Sequence, residues 1–344
     1  MNLIPESQSY QLLVDAIGSA LNEARIKALA SVNTLLVQTN WEIGQYIVEF
    51  EQKGNDRAKY GDELMLRLSR DLTVKYGKGF SRSNLTYMRK FYISFPKSET
   101  LSHKLSWSHY FEILKAEDPM ELHFYAKECE KENWSVRELK RQMNSMLFHR
   151  LALSKDKSSV LTLASEGADI QVAEDIIKDP YVLEFVGLPE RPLYKEGDLE
   201  DALIKNLSDF LLELGKGFTF AGRQYKLNIG GRFFYVDLVF YHRILKCFVL
   251  IDLKRGEVSH EDIGQMNLYL NYFKAEENVE GDNEPIGIVL GAYKDKLLME
   301  YATQNISNQL FVSKYQLYLP DRETLERELK DLLDGHDKKE GEEA

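Results

Sequence analysis

The sequence predicts two regions of different architecture: an all-α N-terminal region, then an α/β region built on a central mixed sheet. Three observations carry this. Helical apolar spacing runs from residue 8 to about residue 150, with no proline between Pro5 and Pro96. Dense strand-like segments follow only after Pro180. Those later segments run helix, three strands, helix, strand, the alternation of a layered α/β domain.

The first long helix covers "ESQSYQLLVDAIGSALNEARIKALASVNTLLVQTNWEIGQYIVEFEQ". The stretch 67–97 carries eight Lys/Arg and a single acid, Asp71. A helix ending near Tyr76 and another starting after Ser81 would make a helix-turn-helix-like pair. On the second helix Leu85, Met88 and Tyr92 face the core, while Arg82, Thr86 and Arg89 line the other side. A helix that binds a phosphate backbone needs such a face, so Arg82, Arg89 and Lys90 are candidate nucleic-acid contacts. The bland alternative is a solvated amphipathic helix. Ser135 and Glu138 form a capping box that starts a further helix.

The segment "LSKDKSSVLTLASEGADIQ" dilutes the apolar pattern and sets the boundary near 155–170, between a helical domain at 8–155 and a second domain at 170–325. In "DLEDALIKNLSDFLLELGKG", Leu199, Leu203, Leu207, Phe210 and Leu214 share one helix face, and Gly215 and Gly217 end it. The strands "FTFAGRQYKLNI", "RFFYVDLVFYH" and "CFVLIDLK" follow, with a Gly230–Gly231 turn between the first two. A helix from about His260 and the strand "IGIVLG" complete the domain. Residues 334–344 are an acidic tail expected to be flexible.

The net charge of −11 would argue against nucleic acid if it were uniform. The first 150 residues are close to balance, however, and the negative excess lies in the remainder, so a local anion-binding surface is compatible with the total. The two cysteines, Cys129 and Cys247, lie far apart and point to a reducing compartment rather than a disulfide or zinc framework. No apolar run approaches the roughly 18 residues of a membrane span, and the N-terminus lacks the pattern of a secretory signal. A cytoplasmic protein without a membrane partner is expected.

The informative anomaly is charge inside apolar strands. Asp237, Asp252 and Lys254 interrupt two segments that are apolar on both faces, as central covered strands are. If the hairpin joining them centres between Ile244 and Leu245, Asp237 lies opposite Asp252. Two adjacent carboxylates repel, and one lysine cannot neutralise both. A divalent cation resolves this, and hard oxygen ligands favour Mg²⁺ or Mn²⁺. A cross-strand ion pair on a half-exposed edge is the structural alternative.

Asp237 followed by Asp252-Leu253-Lys254 resembles the D…(D/E)xK signature of the PD-(D/E)XK nuclease superfamily, whose core has the same order of elements. Val236 stands where the signature proline would be. The resemblance implies a metal site of Asp237, Asp252, the Leu253 carbonyl and a carboxylate on the preceding helix. Glu200 is the choice for that carboxylate and Glu196 the substitute. Lys254 is implied as the catalytic lysine. Gln265 and Tyr269, one helical turn apart, resemble the extra motif of RecB-type exonuclease domains, which helps position the active site or DNA; Gln265 is the candidate for positioning the site and Tyr269 for contacting DNA. Arg223 and Gln224 are further candidate phosphate contacts. Over residues 10–325, segments such as "DPYVLEFVGLPE", "GRQYKL", "FYVDLVFYHR" and "GQMNLYLNY" are similar to the YhcG-like family of bacterial nucleases. Its members carry a helical domain before the nuclease domain, and Asp252 often corresponds to Glu.

The expected activity is Mg²⁺-dependent cleavage of phosphodiester bonds, in DNA first. The alternatives are an inactive nuclease-like DNA-binding or regulatory protein, and a nuclease for RNA or branched junctions. A homodimer would suit double-strand cleavage.

Overall fold

The computed structural model describes residues 6–53, 59–98, 101–153, 157–188, 195–293 and 309–340. They fall into two units, Met1–Leu139 and Lys140–Ala344.

The first unit is helical: α1 (Glu6–Lys53), α2 (Lys59–Tyr76), α3 (Arg82–Ser94), α4 (Trp107–Ile113) and α5 (Pro119–Glu132). Helix α3 starts where the sequence places it, with the Ser81 side chain accepting the Asn84 N–H at 3.2 Å. Leu85 and Met88 are buried with Ile47 of α1 and Met65 of α2. Phe91, rather than Tyr92, is the third buried residue of α3; Tyr92 is half-buried, its ring 5.0 Å from that of Trp41. The α1–α3 crossing depends on Gly44, because a Cβ there would sit 2.0 Å from the Met88 carbonyl oxygen. The Ser135–Glu138 capping box is formed, with Ser135 N–H donating to Glu138 at 2.6 Å and Glu138 N–H to Ser135 Oγ at 3.3 Å. It opens α6 (Val136–Asn144), which carries the chain across the division.

The second unit continues with α7 (Leu147–Ala152), α8 (Lys157–Glu166), β1 (Tyr181–Val182), α9 (Glu196–Lys205), α10 (Leu207–Leu214), β2 (Phe218–Ile229), β3 (Arg232–His242), β4 (Cys247–Glu257), α11 (His260–Tyr272), β5 (Ile286–Tyr293), β6 (Leu310–Gln316) and α12 (Arg322–Glu340). The six strands form one mixed sheet in the order β1-β6-β5-β4-β3-β2. Strands β2, β3 and β4 pair antiparallel, while β4, β5, β6 and β1 run parallel. One apolar layer joins α9 and α10 to the sheet through Leu199, Leu203, Phe210 and Leu214. The other joins α11 through Ile263, Met266 and Leu270. Central strands covered on both faces account for the apolar density of β3 and β4.

Three details differ from the sequence reading. The helix expected over "DLEDALIKNLSDFLLELGKG" breaks at Asn206 (φ −110°), whose side-chain amide donates to the Ala202 carbonyl at 2.9 Å, a local bond that competes with the helix. The sheet gains β1 and β6, too short or too irregularly patterned to stand out. The acidic tail is helical as far as Glu340, in keeping with the helix propensity of its Lys and Glu residues; its last four residues lie outside the described ones. The compact units divide at Leu139/Lys140, and α6 and α7 are tied to the sheet unit by a buried ion network. In it Arg150 meets Glu213 at 2.7 Å, Arg141 meets Glu213 at 3.3 Å, and Gln142 donates to the Leu212 carbonyl at 3.0 Å. Burial raises the Glu213 carboxyl, but Arg150, Lys178 and Arg141 outweigh it and hold the carboxyl at about 2.

Candidate active site

Strands β3 and β4 pair in the register that places position 237 against 252: Leu238 faces Ile251, Val239 faces Leu250 and His242 faces Cys247. The pairing ends at Leu238–Ile251, so the two aspartates stand where the strands part. In place of a ladder bond, Leu253 donates its backbone N–H to Asp237 Oδ2 at 2.8 Å. An extended residue directs its N–H and C=O to the same side, so the Leu253 carbonyl faces the same space.

Strand β2 closes this space from the other side. Gln224 has a left-handed backbone (φ 47°), uncommon for a residue with a side chain, and the β2–β3 register passes over the Gln224–Asp237 position. The side-chain alternation of β3 slips at the same point. Phe234 and Val236 pack in the α11 layer, whereas Leu238 and Phe240 pack in the α9–α10 layer; simple alternation would put all four on one face. The Gln224 amide donates to Glu200 Oε2 at 2.7 Å and to Asp237 Oδ1 at 3.0 Å. Helix α9 thus delivers Glu200 to the aspartates, with Leu199 and Leu203 anchoring it to the sheet. The substitute, Glu196, accepts the Arg255 backbone N–H at 3.2 Å instead.

Asp252 is buried, with a relative exposure of 2%. Burial, and then the charge of Asp237, push its carboxyl up to about 7 despite the opposing charge of Lys254. Burial alone would lower the Lys254 ammonium, but Asp252, Asp262 and Glu196 raise it. Lys254 Nζ lies 2.8 Å from Asp252 Oδ2 and 3.3 Å from Asp262 Oδ1. Burial also raises the Glu200 carboxyl, with Asp237 adding to the shift and the Gln224 bond and Arg223 opposing it.

Two buried carboxylate oxygens in this cluster, Glu200 Oε1 and Asp252 Oδ2, accept no well-directed hydrogen bond. Arg223 Nε lies 3.3 Å from Glu200 Oε1 and Lys254 Nζ 2.8 Å from Asp252 Oδ2. An ion pair of poor direction leaves lone pairs for a further ligand, and three hard carboxylates at one sheet end are a donor set that suits a divalent cation. The donor chemistry fits such an ion, while one oxygen from each of Glu200, Asp237 and Asp252 does not come within 4.8 Å of the other two.

The other sequence candidates are placed differently. Gln224 and Arg223 belong to the acid cluster: Arg223 also meets Asp201 at 3.0 Å, so both side chains are engaged with carboxylates. Tyr269 is 1% exposed and donates to the Tyr235 carbonyl at 3.0 Å. Buried there, it braces β3 from α11. The Gln265 amide donates to the Tyr269 hydroxyl, not to an acid. In the helical unit Arg82 is exposed at the start of α3. Arg89 pairs with Glu51 at 2.6 Å. Lys90 donates to the Leu114 and Ala116 carbonyls at 2.6 and 2.8 Å, so its ammonium serves the end of α4 rather than a phosphate. Asp262 was missed by the sequence reading. Its signal was Ser259-x-x-Asp262, a capping box realised at the start of α11, which brings a second acid to Lys254.

Comparison with known proteins finds residues 174–333 matching the family described as YhcG PDDEXK nuclease domain, and residues 16–150 matching the DUF1016 N-terminal domain. The chain is 40% identical over 352 residues to the Escherichia coli (strain K12) protein named "Putative nuclease YhcG", with 93% of each covered. Similar solved structures include a repair endonuclease from Pyrococcus abyssi (20% identical, 37% of this chain and 49% of that one, TM-score 0.27). Another is a complex of EndoMS with dsDNA (19% identical, 39% of this chain and 50% of that one, TM-score 0.26).

Proposed function

The chain belongs to the YhcG family, a DUF1016 N-terminal domain joined to a PD-(D/E)XK nuclease domain, and from that premise we propose that it is a Mg²⁺-dependent phosphodiesterase acting on DNA. The family implies a divalent metal ion; Mg²⁺ is our assignment from the all-oxygen donor set. The observation that carries the reading is the gathering of Glu200, Asp237 and Asp252 at one sheet end, where burial, and then the charge of Asp237, raise the Asp252 carboxyl. A buried acid raised this far beside a second acid is the mark of a functional site.

Glu200, Asp237, Asp252 and the Leu253 carbonyl would hold the ion, which when bound would supply charge stabilisation to the scissile phosphate and lower the pKa of a water. Lys254, positively charged and 18% exposed at its side chain, orients the attacking water or meets negative charge on the phosphate. Asp262 keeps that ammonium charged. Gln265 acts at one remove, by fixing Tyr269. In the helical unit the α2–α3 pair, with Arg82 exposed on it, is assigned to DNA recognition.

The test is nicking of supercoiled plasmid by the purified full chain with Mg²⁺, with and without EDTA. Cleavage should require the metal and disappear in Asp252→Ala and Asp237→Ala while DNA binding persists. Cleavage by Asp252→Ala at the wild-type rate would refute the site. Binding without cleavage in either Mg²⁺ or Mn²⁺ would show a nuclease fold used for recognition alone. Preferential cleavage of RNA or of branched junctions would redirect the substrate assignment.

A further inference from the structure

Among the described residues, little covers the first half of α1. Between Tyr10 and Leu36 eleven large apolar side chains are 42–69% exposed, far beyond the scattered apolar residues of an ordinary surface. The second half of the same helix is packed normally, with Val37, Ile47 and Val48 buried.

Five of the eleven share one heptad register, with Leu13 and Val32 beside it, while Leu12, Ile26, Leu29 and Leu36 lie on other faces. Tyr10, Ile17, Ala24 and Ser31 recur every seven residues, and Val14, Leu21, Ala28 and Leu35 recur in the interleaved register. These are the two seam positions of a heptad over about 39 Å of helix. Large residues fill the first half of the seam and small ones the centre of the second. In a parallel pair, Ala24, Ala28 and Ser31 would meet their own copies in three consecutive underfilled layers. In an antiparallel pair the layers become Tyr10–Leu35, Val14–Ser31, Ile17–Ala28 and Leu21–Ala24, each repeated across the two-fold axis. All but the outermost match large with small, which keeps the helix separation even. Ser31 tolerates the dry position because its hydroxyl already donates to the Lys27 carbonyl at 3.0 Å. No like charges meet at the seam: Arg25 falls opposite Gly18, and Lys27, paired with Glu23 at 2.8 Å, opposite Ala20. With Leu13 and Val32 flanking, the seam would remove on the order of 600–800 Å² per copy, against about 800 Å² per partner in a stable interface.

We propose that residues 10–35 of α1 form an antiparallel two-stranded coiled coil with α1 of a second copy, making the protein a homodimer. This stands independently of the nuclease assignment.

Sedimentation equilibrium of the full chain should give a dimer at micromolar concentration. Leu21→Glu, which strikes the seam twice, should weaken association by about a hundredfold or more. Ile26→Glu, off the seam, should leave the dimer intact. Orientation is read by cysteines, which also keep the proposal testable if Leu21→Glu misfolds. Val14→Cys and Ser31→Cys proteins should cross-link with each other under mild oxidation, and neither with itself. A wild-type monomer at tens of micromolar would overturn the proposal. So would self-cross-linking of Ser31→Cys, or dissociation by Ile26→Glu but not by Leu21→Glu.

Discussion

Leu253 donates its backbone N–H to Asp237 Oδ2 at 2.8 Å, so the first acid of the site is held by the main chain of the strand that carries the second. Asp237→Asn keeps an oxygen for that bond, loses the acceptor that Gln224 uses, and removes the charge. The variant should fold and bind DNA as wild type does, yet lose about 10²–10³-fold in cleavage rate, the scale of losing one preorganised electrostatic group. Because the charge of Asp237 also raises the Asp252 carboxyl, the same variant should move that carboxyl back toward the ordinary range. Carboxyl-carbon NMR titration would follow it, and an unmoved Asp252 would show that burial alone sets its value.

Gln224 joins Glu200 to Asp237 from a left-handed backbone position, which makes it an orienting residue rather than a phosphate contact. Gln224→Ala should raise the metal concentration for half-maximal cleavage by about 10–100-fold, the usual effect of removing a residue that aligns ligands. DNA affinity measured without metal should change little. If affinity falls and the metal dependence stays put, Gln224 is a nucleic-acid contact after all.

Much of this site was legible in the sequence, for a physical reason. Charge inside an apolar strand is costly, so Asp237, Asp252 and Lys254 stood out, and the strand register that would pair the two positions followed from the hairpin centre alone. Glu200 could be picked because Leu203 and Ile204 fix which side of α9 faces the sheet. Gln224 and Asp262 could not be placed in this way. The position of Gln224 depends on one backbone angle in β2, and that of Asp262 on where α11 meets the end of β4, and neither follows from periodicity. Side-chain type alone says little about role at Lys90 and Tyr269: a lysine that meets a helix end and a tyrosine that braces a strand look, in sequence, like contacts for DNA.

Asp252 should cost the metal-free protein stability. A carboxyl whose folded value is raised, here from 3.8 to about 7, penalises the fold only once ionised. The penalty is absent below about pH 4, where both states are protonated, and complete above about pH 7, where it amounts to a few kcal/mol. Asp252→Asn should therefore melt several degrees higher than wild type at pH 8 in EDTA, with the gain shrinking toward pH 4. Lys254 keeps Asp262 in the variant. An equal or lower melting temperature at pH 8 would contradict the assignment of strain to this acid.

Glu213 should show the opposite dependence. Arg150, Lys178 and Arg141 hold its carboxyl at about 2 against the cost of full burial, so its ionised form favours the fold. That contribution is complete above the ordinary value of 4.5 and drains away as pH falls from there toward 2. Its size is about 3 kcal/mol from the displacement. Glu213→Gln would also leave the fully buried side chain of Arg150 without its counter-charge, a loss of about 3–5 kcal/mol. Thermal melts of the full chain should place Glu213→Gln on the order of 10 °C below wild type at pH 7, with the two proteins converging as the pH falls below 4. A constant gap across that range would mean that packing, not charge, is what Glu213 supplies.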